Sequence, residues 1–278
     1  MFQIAVALLE DAAEIKNILV DYYAEKEGYL DLWFGQYFAP EHFLCAKEDG
    51  RIVAVLPFSL VEYEGKTGKY LHGVMQAFVN VNPAVQIALL QEAEVKSTKE
   101  NDSFLITLFQ NEKNAAIYKE NGFVQQTTIR RLHKVISPDL LAYAEQDSVT
   151  AAMFKELREQ YIKNAITFTS QEYPFFFASL YSNNGTVIKT DGGYGVYFRE
   201  KDTLIFAELF AKTQRSAEKI VQAARNITGC FEAEILLEAA NSELFLGEGK
   251  REPHALIKSL SGDTTNWEDC YFNLLTNI

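Results

Sequence analysis

Residues 71–90 read LHGVMQAFVNVNPAVQIALL and contain the outline of a strand, a turn and the start of a helix. The apolar run ends before Pro83, and a proline in the first turn of a helix loses no backbone hydrogen bond. Many enzymes hold the phosphates of a cofactor at such a junction, because the first amides of a helix lack partners within it. Between Met75 and Leu90, however, the chain has neither a glycine nor a basic residue. The stretch therefore has the layout of a cofactor loop without the side chains that usually complete one.

Length and composition indicate a globular protein of one large or two medium domains. The chain has 278 residues, of which 48% are hydrophobic, so it can bury sizeable cores. Its three cysteines, Cys45, Cys230 and Cys270, are far apart and odd in number. This pattern argues against a disulfide framework and against a clustered metal site. We expect a reducing compartment and no bound metal.

The sequence contains no recognisable targeting or membrane-spanning segment. The N-terminus, MFQIAVALLEDAAEIK, lacks a basic region and reaches Glu10 and Asp11 after an apolar run too short for a signal peptide. No apolar run approaches the roughly 18 residues that a transmembrane helix needs. These features predict a soluble, cytoplasmic protein with no membrane partner.

The charge of the chain disfavours nucleic acid as a partner. The formal net charge is -12, whereas binding to a phosphate backbone requires clustered Lys and Arg side chains. The one dense basic run, RRLHK at residues 130–134, is interpreted as the solvated end of a strand. A negative surface would suit small cationic substrates.

Strands and helices alternate in the first half of the sequence. Residues 2–8 predict a strand and residues 10–25 a helix. Asp49-Gly50 predicts a hairpin turn between two apolar runs, and EGKTGK predicts a second turn before the strand YLHGVMQAFV. After the strand SFLITLF, the segment NEKNAAIYKENGF predicts a short helix that ends at Asn121-Gly122. VQQTTIRRLHKVI is predicted to close this half as a strand, which gives a mixed sheet with helices on both faces.

The pattern loosens around ISPDLLAYAEQDS, and we place a domain boundary there, with domains at residues 1–137 and 138–278. The second half has turn signals at Asn184-Gly185, Asp191-Gly192 and Lys201-Asp202 between predicted strands. A helix at TQRSAEKIVQAARNI and strands at FEAEILLEA and HALIKSL follow, and the helix-like WEDCYFNLLTNI ends the chain. Because both halves contain a hairpin, a strand, a helix and a further strand, two related domains are favoured.

At residues 111–123, NEKNAAIYKENGF resembles the fourth helix of the GCN5-related N-acetyltransferases, which ends in a tyrosine and a Gly-Phe step. FLCAKEDGRIVAVLPFSL is similar to the second and third strands of that family. The whole chain resembles the tandem acetyltransferases of bacteria, such as the enhanced-intracellular-survival type. This resemblance implies an α/β (α+β) fold class with two tandem domains, each a mixed, mostly antiparallel sheet flanked by helices.

The resemblance also implies acetyl-CoA as co-substrate, held by a loop with an arginine or glutamine and two glycines between the fourth strand and its helix. In an ungapped match, the arginine falls on Val81 and the glycines on Asn82 and Ala84. The loop keeps its length but lacks a cation, so we expect it to hold a pyrophosphate weakly. The implied coenzyme-binding residues are Val74, Gln76, Asn82, Ala84, Val85 and Asn111.

Two catalytic roles follow from the same resemblance. Tyr118 matches the family tyrosine that acts as general acid towards the departing thiolate, and the alternative is a tyrosine packed beneath a strand. The carboxylate of Ile278 would serve as base or amine anchor, and the alternative is a tail that only docks through its apolar residues. Asn111 matches an asparagine that contacts the coenzyme arm, and its alternative role is to cap the short helix.

The function implied is transfer of an acetyl group from acetyl-CoA to the amine of a small molecule. The alternative is a catalytically inactive relative that binds a ligand or a partner protein, because the altered loop disfavours coenzyme binding. The aromatic run YPFFF at residues 173–177 predicts core packing. The sequence leaves homo-oligomerisation open.

Overall fold

A computed structural model describes residues 2–22, 30–31, 34–35, 38–77, 82–109, 111–144, 149–240, 243–262 and 265–274. The chain forms two compact units. Unit 1 comprises Met1–Gln126, Thr167–Thr169 and Ala255–Thr265. Unit 2 comprises Thr127–Ile166, Ser170–His254 and Asn266–Ile278. Segments that are distant in sequence therefore complete each unit.

Six α-helices and thirteen strands have both of their ends within the described ranges. The helices are α1 (Ala12–Tyr22), α2 (Pro83–Lys99), α3 (Glu112–Glu120), α4 (Ala151–Tyr161), α5 (Tyr173–Ser182) and α6 (Gln214–Thr228). The strands are β1 (Gln3–Val6), β2 (Phe43–Glu48), β3 (Arg51–Tyr63), β4 (Lys66–Leu71), β5 (Met75–Gln76), β6 (Phe104–Leu108), β7 (Gln125–Val135), β8 (Thr167–Phe168), β9 (Thr186–Thr190), β10 (Gly193–Glu200), β11 (Thr203–Ala211), β12 (Glu232–Glu238) and β13 (Lys250–Ser259).

The sheet of unit 1 is mixed and mostly antiparallel, as predicted. Its strands follow the order β1, β2, β3, β4, β6 and β13, and β5 and β8 add short pairings to β3. The pair of β4 and β6 is parallel, and the other neighbours in this order are antiparallel. A parallel pair requires a crossover, which β5 and α2 supply between β4 and β6.

Two tight turns set the register of the hairpins in unit 1. Asp49 and Gly50, with φ of 49° and 80°, join β2 to β3. Glu64 and Gly65, with φ of 47° and 79°, join β3 to β4. Two central residues with positive φ are the requirement of a type I′ turn, whose twist matches that of the flanking strands. The hairpin predicted at Asp49-Gly50 is confirmed.

Helices cover both faces of the unit 1 sheet. On one face, α2 and α3 contribute Val85, Leu89 and Tyr118 to a core that also contains Leu71 of β4. On the other face, the residues of α1 pack against alternate strand positions. That second core contains Ile15, Ile18, Leu19, Phe43, Cys45, Val55 and Met75. This alternation follows from the pleat of a strand, which turns successive side chains to opposite faces.

Unit 2 repeats this architecture. Its strands follow the order β7, β12, β11, β10 and β9, with β11 and β12 parallel and the other pairs antiparallel. Helix α6 is capped at its start by Thr213, whose hydroxyl accepts from the Ser216 amide, and at its end by Gly229 with φ of 76°. The run YPFFF lies in α5, where Tyr173 and Phe176 are buried, so it packs in the core.

Two long strands, β7 and β13, pair with strands that are not their neighbours in the sequence. Strand β7 pairs with β12, from Glu232↔Val135 to Glu238↔Ile129. The antiparallel neighbour of β6 in unit 1 is β13, from Ala255↔Leu108 to Ser259↔Phe104. Periodicity identifies a strand but not its partner, because pairing depends on contacts that are remote in sequence.

The C-terminal segment is not helical in its described part. Residues 265–274 form turns and an isolated parallel bridge between Tyr271 and Ala165. The Tyr271 amide donates to the Asn164 carbonyl oxygen at 2.8 Å. Cys270, Tyr271 and Phe272 are consecutive and all buried, which suits an enclosed extended segment better than an amphipathic helix with one polar face.

The described helices are each too short or too polar to traverse a lipid bilayer. In the same residues, no three His, Cys, Asp or Glu side chains are grouped as metal ligands would be. Cys45, Cys230 and Cys270 are free and buried.

A buried histidine makes the stability of unit 2 depend on pH. His254 is 8% exposed, and burial, with a smaller contribution from Arg131, lowers its pKa to about 4 from an ordinary 6.5. Between these values the unfolded chain binds a proton that the native chain excludes. The full stabilisation is therefore present above pH 6.5 and is lost as the pH falls towards 4.

We expect the His254→Asn variant, which cannot titrate, to show a weaker decline in the free energy of unfolding between pH 7.5 and 4. Over this pH range, the free energy of unfolding should fall on the order of 3 kcal/mol less in the variant than in the parent. Urea unfolding at several pH values measures it. His133→Asn is the control, because the His133 side chain is 55% exposed. Equal declines in the parent and His254→Asn would contradict the prediction.

Candidate functional site

Strands β4 and β6 part at their carboxyl ends. They pair in parallel from Gly68↔Phe104 to Tyr70↔Ile106, and the pairing stops there although both strands continue. Beyond the last pair, Thr107 Oγ1 donates to the Leu71 carbonyl oxygen at 3.0 Å. Backbone groups that face such a gap lack strand partners, and ligands of α/β sheets bind at the carboxyl ends of strands. We call the space between residues 71–74 and 107–108 the unit 1 gap.

A bulge follows β4 at this gap. Phe58 pairs with Leu71 and Val55 pairs with Met75, so two residues of β3 face three residues, 72–74. His72 donates its amide to the Pro57 carbonyl oxygen at 3.0 Å, and Pro57 has no amide with which to return the bond. The predicted strand across this region is thus two strands, β4 and β5, and Gly73 and Val74 lie outside the β3 ladder.

Helix α3 is capped at both ends as the sequence predicts. The Asn111 side chain accepts from the Asn114 amide at 2.9 Å, which is the capping role. The helix stops before Gly122, which has φ of 89°, and the Phe123 amide donates to the Tyr118 carbonyl oxygen at 3.1 Å. These caps fix the direction from which the Tyr118 side chain leaves the helix.

Tyr118 reaches the bulge from α3. A Cβ placed on Gly73 would lie 3.9 Å from the Tyr118 hydroxyl oxygen, and the φ of Gly73 is 98°. Glycine adopts this backbone conformation without strain and leaves room for close approach. Tyr118 is buried, and Phe123 lies edge-on to it with ring centroids 5.3 Å apart. Burial raises the pKa of the Tyr118 hydroxyl, so this group is protonated near neutral pH.

Thr107 links Tyr118 to the backbone of the gap. The Tyr118 hydroxyl is hydrogen-bonded to the Thr107 side chain. Thr107 also donates to the Leu71 carbonyl oxygen at 3.0 Å. Sequence reasoning missed this residue, since SFLITLF reads as a buried strand and a lone threonine in an apolar run was its only signal.

The start of α2 is closed by its own cap. The Asn82 side-chain oxygen accepts from the Ala84 amide at 2.9 Å, and the main-chain carbonyl oxygen of Asn82 accepts from the Val85 amide at 2.9 Å. Pro83 has no amide. The first turn of α2 carries no acidic residue, and the basic residues Lys96 and Lys99 lie in its last turn. The Ala84 and Val85 amides at the start of α2 therefore already have partners.

The structure brings together some of the predicted site residues. Val74, Val85 and Tyr118 belong to one apolar cluster on the α2 and α3 face of the sheet. Gln76 is exposed and lies on β5. Asn82 and Asn111 both serve as helix caps. Ile278 and Val81 lie outside the described residues.

No protein-family model matches the sequence, and no curated protein matches it. Solved structures are similar over most of the chain. Eis1 from Mycobacterium abscessus has a TM-score of 0.61 at 11% identity, covering 94% of this chain and 74% of that one. A GCN5-related N-acetyltransferase from Anabaena variabilis ATCC 29413 has a TM-score of 0.66 at 13% identity, covering 94% and 73%. A tandem GNAT protein from the clavulanic acid biosynthesis pathway has a TM-score of 0.54 at 10% identity, covering 95% and 100%.

The chain has the GCN5-related N-acetyltransferase fold. The predicted fold class is therefore confirmed, and so is the resemblance at the level of the fold to proteins that include Eis1 and a tandem GNAT protein. At these identities the similarity establishes the fold, and activity must be judged from the site.

A second polar pair lies beside the bulge of this fold. His72 Nε2 and Ser59 Oγ are 2.9 Å apart, and the imidazole lies edge-on to Tyr70 with ring centroids separated by 4.5 Å. Burial lowers the pKa of His72 to about 4. The imidazole is therefore neutral near pH 7 and offers a hydrogen bond without a charge.

The residues at the unit 1 gap suit the thioester end of an acyl-CoA better than the residues at the start of α2 suit its pyrophosphate end. The unit 1 gap offers a protonated Tyr118 hydroxyl and the backbone of Gly73 and Val74, which suits a thioester and an amide-containing arm. The start of α2 offers no cation, and the Ala84 and Val85 amides are occupied by Asn82. The pyrophosphate end is therefore the poorly matched end.

The Thr107 bond can be tested by substitution. In Thr107→Val, the Leu71 carbonyl and the Tyr118 hydroxyl lose their shared partner while side-chain volume is kept. We expect a loss of about 2–3 kcal/mol in the free energy of unfolding, because buried polar groups without partners are costly. Thr107→Ser keeps the hydroxyl and should lose about 1 kcal/mol for the missing methyl group. Urea unfolding measures both, and equal losses would show that the hydroxyl is not bonded as described.

Proposed function

We propose that unit 1 transfers an acetyl group from acetyl-CoA to the amine of a small molecule in the cytoplasm. The observation that carries this proposal is the position of the Tyr118 hydroxyl, which lies beside the Gly73 bulge where β4 and β6 part. An acyl transfer needs a proton donor near its leaving group, and Tyr118 supplies one at a gap whose backbone groups lie outside the strand pairing.

In this proposal acetyl-CoA supplies the activated acyl group, and the residues of the chain bind, orient and move protons. Tyr118 holds the proton that the departing sulfur requires, and its raised pKa keeps that proton in place until transfer. Val74, Gln76 and Asn111 flank the coenzyme arm, and Asn82, Ala84 and Val85 face its phosphates.

The acceptor is a small amine, and the net charge of -12 would attract it in its cationic form. The amine must lose a proton before or during attack. The Ile278 carboxylate remains our proposal for the base or amine anchor. On the β4 side of the gap, the neutral imidazole of His72 can accept a hydrogen bond from the substrate amine.

A second candidate function is a non-catalytic relative that keeps the fold to bind a ligand or partner. The observation that favours it is the Asn82 cap, which satisfies the Ala84 amide and leaves α2 stable without a phosphate. Each missing charge-assisted hydrogen bond would cost on the order of 1.5–3 kcal/mol, or about ten- to a hundredfold in affinity. The two candidates therefore differ in whether the coenzyme binds at cellular concentrations.

Calorimetric titration with acetyl-CoA separates the two candidates. The proposed enzyme should bind it with a dissociation constant below about 1 mM. Tyr118→Phe should bind it within about threefold of the parent, yet release of the coenzyme thiol in the presence of small primary amines should fall about a hundredfold. This split is expected because the lost hydroxyl acts on the leaving group rather than on ground-state binding.

Tyr143→Phe is the matched control, since Tyr143 is 79% exposed and lies in unit 2. It should leave both affinity and turnover unchanged. Absence of acetyl-CoA binding at millimolar concentration would overturn the enzyme proposal. The triple variant Val81→Arg, Asn82→Gly, Ala84→Gly should then gain binding if the substituted loop is the cause.

A further inference from the structure

Unit 2 contains the same strand gap as unit 1. Strands β11 and β12 pair in parallel from Thr203↔Glu232 to Phe206↔Ile235, and both continue beyond the last pair. A bulge again lies at the point of parting, because Glu208 pairs with Val196 while Phe206 pairs with Tyr197. Ala207 is the extra residue. The carbonyl group of this residue needs a partner from outside the β10 ladder.

The partner comes from the C-terminal segment of the chain. Asn273 Nδ2 donates to the Ala207 carbonyl oxygen, and Asn273 is 3% exposed. The Tyr271 hydroxyl donates to Glu208 Oε1 at 3.0 Å, and its ring lies edge-on to Phe210 with centroids 5.1 Å apart. The segment therefore contacts Ala207, Glu208 and Phe210 of β11, beginning at the first residue of the gap.

A buried ion pair completes this attachment. Glu208 Oε1 also accepts from Arg158 at 3.1 Å, and Glu208 Oε2 accepts from the Tyr194 hydroxyl at 2.9 Å. Both carboxylate oxygens are thus occupied, and Glu208 is fully buried. Because a buried charge that loses one partner is strongly destabilised, displacement of Tyr271 by a ligand would be unfavourable.

Backbone bonds hold the segment from its other side. The Tyr271 amide donates to Asn164 at 2.8 Å, and the Ile166 amide donates to the Tyr271 carbonyl oxygen at 2.9 Å. The helix that follows β11 is also closed, since the Thr213 hydroxyl accepts from the Ser216 amide at 3.2 Å. In unit 2 the strand gap is thus occupied, and the start of α6 is capped as the start of α2 is in unit 1.

We infer that residues 270–273 are a built-in occupant of the strand gap of unit 2, so that an acyl-CoA binds in unit 1 alone. The confinement to unit 1 rests on the proposed function, whereas the occupancy of unit 2 does not. Unit 2 is then a structural half of the chain, and its gap is satisfied by the chain itself instead of by a ligand.

Hydrogen exchange followed by mass spectrometry tests this inference on the full chain. Exchange is measured without coenzyme and with acetyl-CoA at about 2 mM, which exceeds the dissociation constant of about 1 mM that we expect as an upper limit. Peptides within residues 267–274 should exchange as slowly as those of β11, and acetyl-CoA should leave residues 203–211 unchanged. Rapid exchange at residues 270–273, or protection of residues 203–211 by acetyl-CoA, would overturn it.

Asn273→Ala should speed exchange in residues 207–211 and 270–273 by about tenfold or more, through the lost bond to Ala207. Asn266→Ala is the matched control, because Asn266 is an exposed asparagine of the same segment. If Asn273→Ala does not fold, hydrogen exchange of the parent chain, measured with and without acetyl-CoA, still tests the inference. If acetyl-CoA protects neither unit, the proposed function fails, while slow exchange at residues 270–273 still supports the occupancy.

Discussion

The parting of two parallel strands is the constraint on which both units depend. In unit 1 the pairing of β4 and β6 ends at Tyr70↔Ile106, and in unit 2 that of β11 and β12 ends at Phe206↔Ile235. Beyond these pairs, backbone groups face a gap, and buried backbone groups must find partners. In unit 1 the Thr107 hydroxyl bonds across the start of the gap, whereas in unit 2 a buried tail contacts β11 at the gap. The same topology therefore leads to a candidate ligand site in one unit and a closed structure in the other.

The start of α2 shows how helix stability and anion binding compete. An asparagine cap stabilises a helix by about 1 kcal/mol by satisfying an amide, and a phosphate would need that same amide. Asn82 holds the Ala84 amide in this way. A loop with glycine leaves such amides to the ligand. Asn82 therefore stabilises α2 without a ligand, through an amide that a bound phosphate would need.

Local features of this fold could be predicted from the sequence. Asp49-Gly50 indicates its hairpin because the turn needs two residues that tolerate positive φ. Asn111 and Gly122 delimit α3 for equally local reasons. The absence of glycine and of basic residues between Met75 and Leu90 is likewise read directly from the sequence.

Other features depend on contacts that are remote in sequence. The partners of β7 and β13 are set by neighbouring strands and not by their own periodicity. Thr107 matters only because Leu71 and Tyr118 lie beside it in space. The tail was predicted to be helix-like from its apolar residues, but Asn273 and Tyr271 instead satisfy groups on β11, more than 60 residues earlier. The fold was thus easier to predict than the polar links that define its gaps.

The central claim is that the unit 1 gap is the ligand site of this chain. Amide chemical-shift mapping of the isotopically labelled protein during titration with acetyl-CoA tests it most directly. We expect saturable shifts at the amides of Gly73 and Val74, with the amides of Ala207 and Glu208 unmoved. Shifts at Ala207 and Glu208 without shifts at Gly73 and Val74, or no saturable shift at millimolar coenzyme, would contradict it.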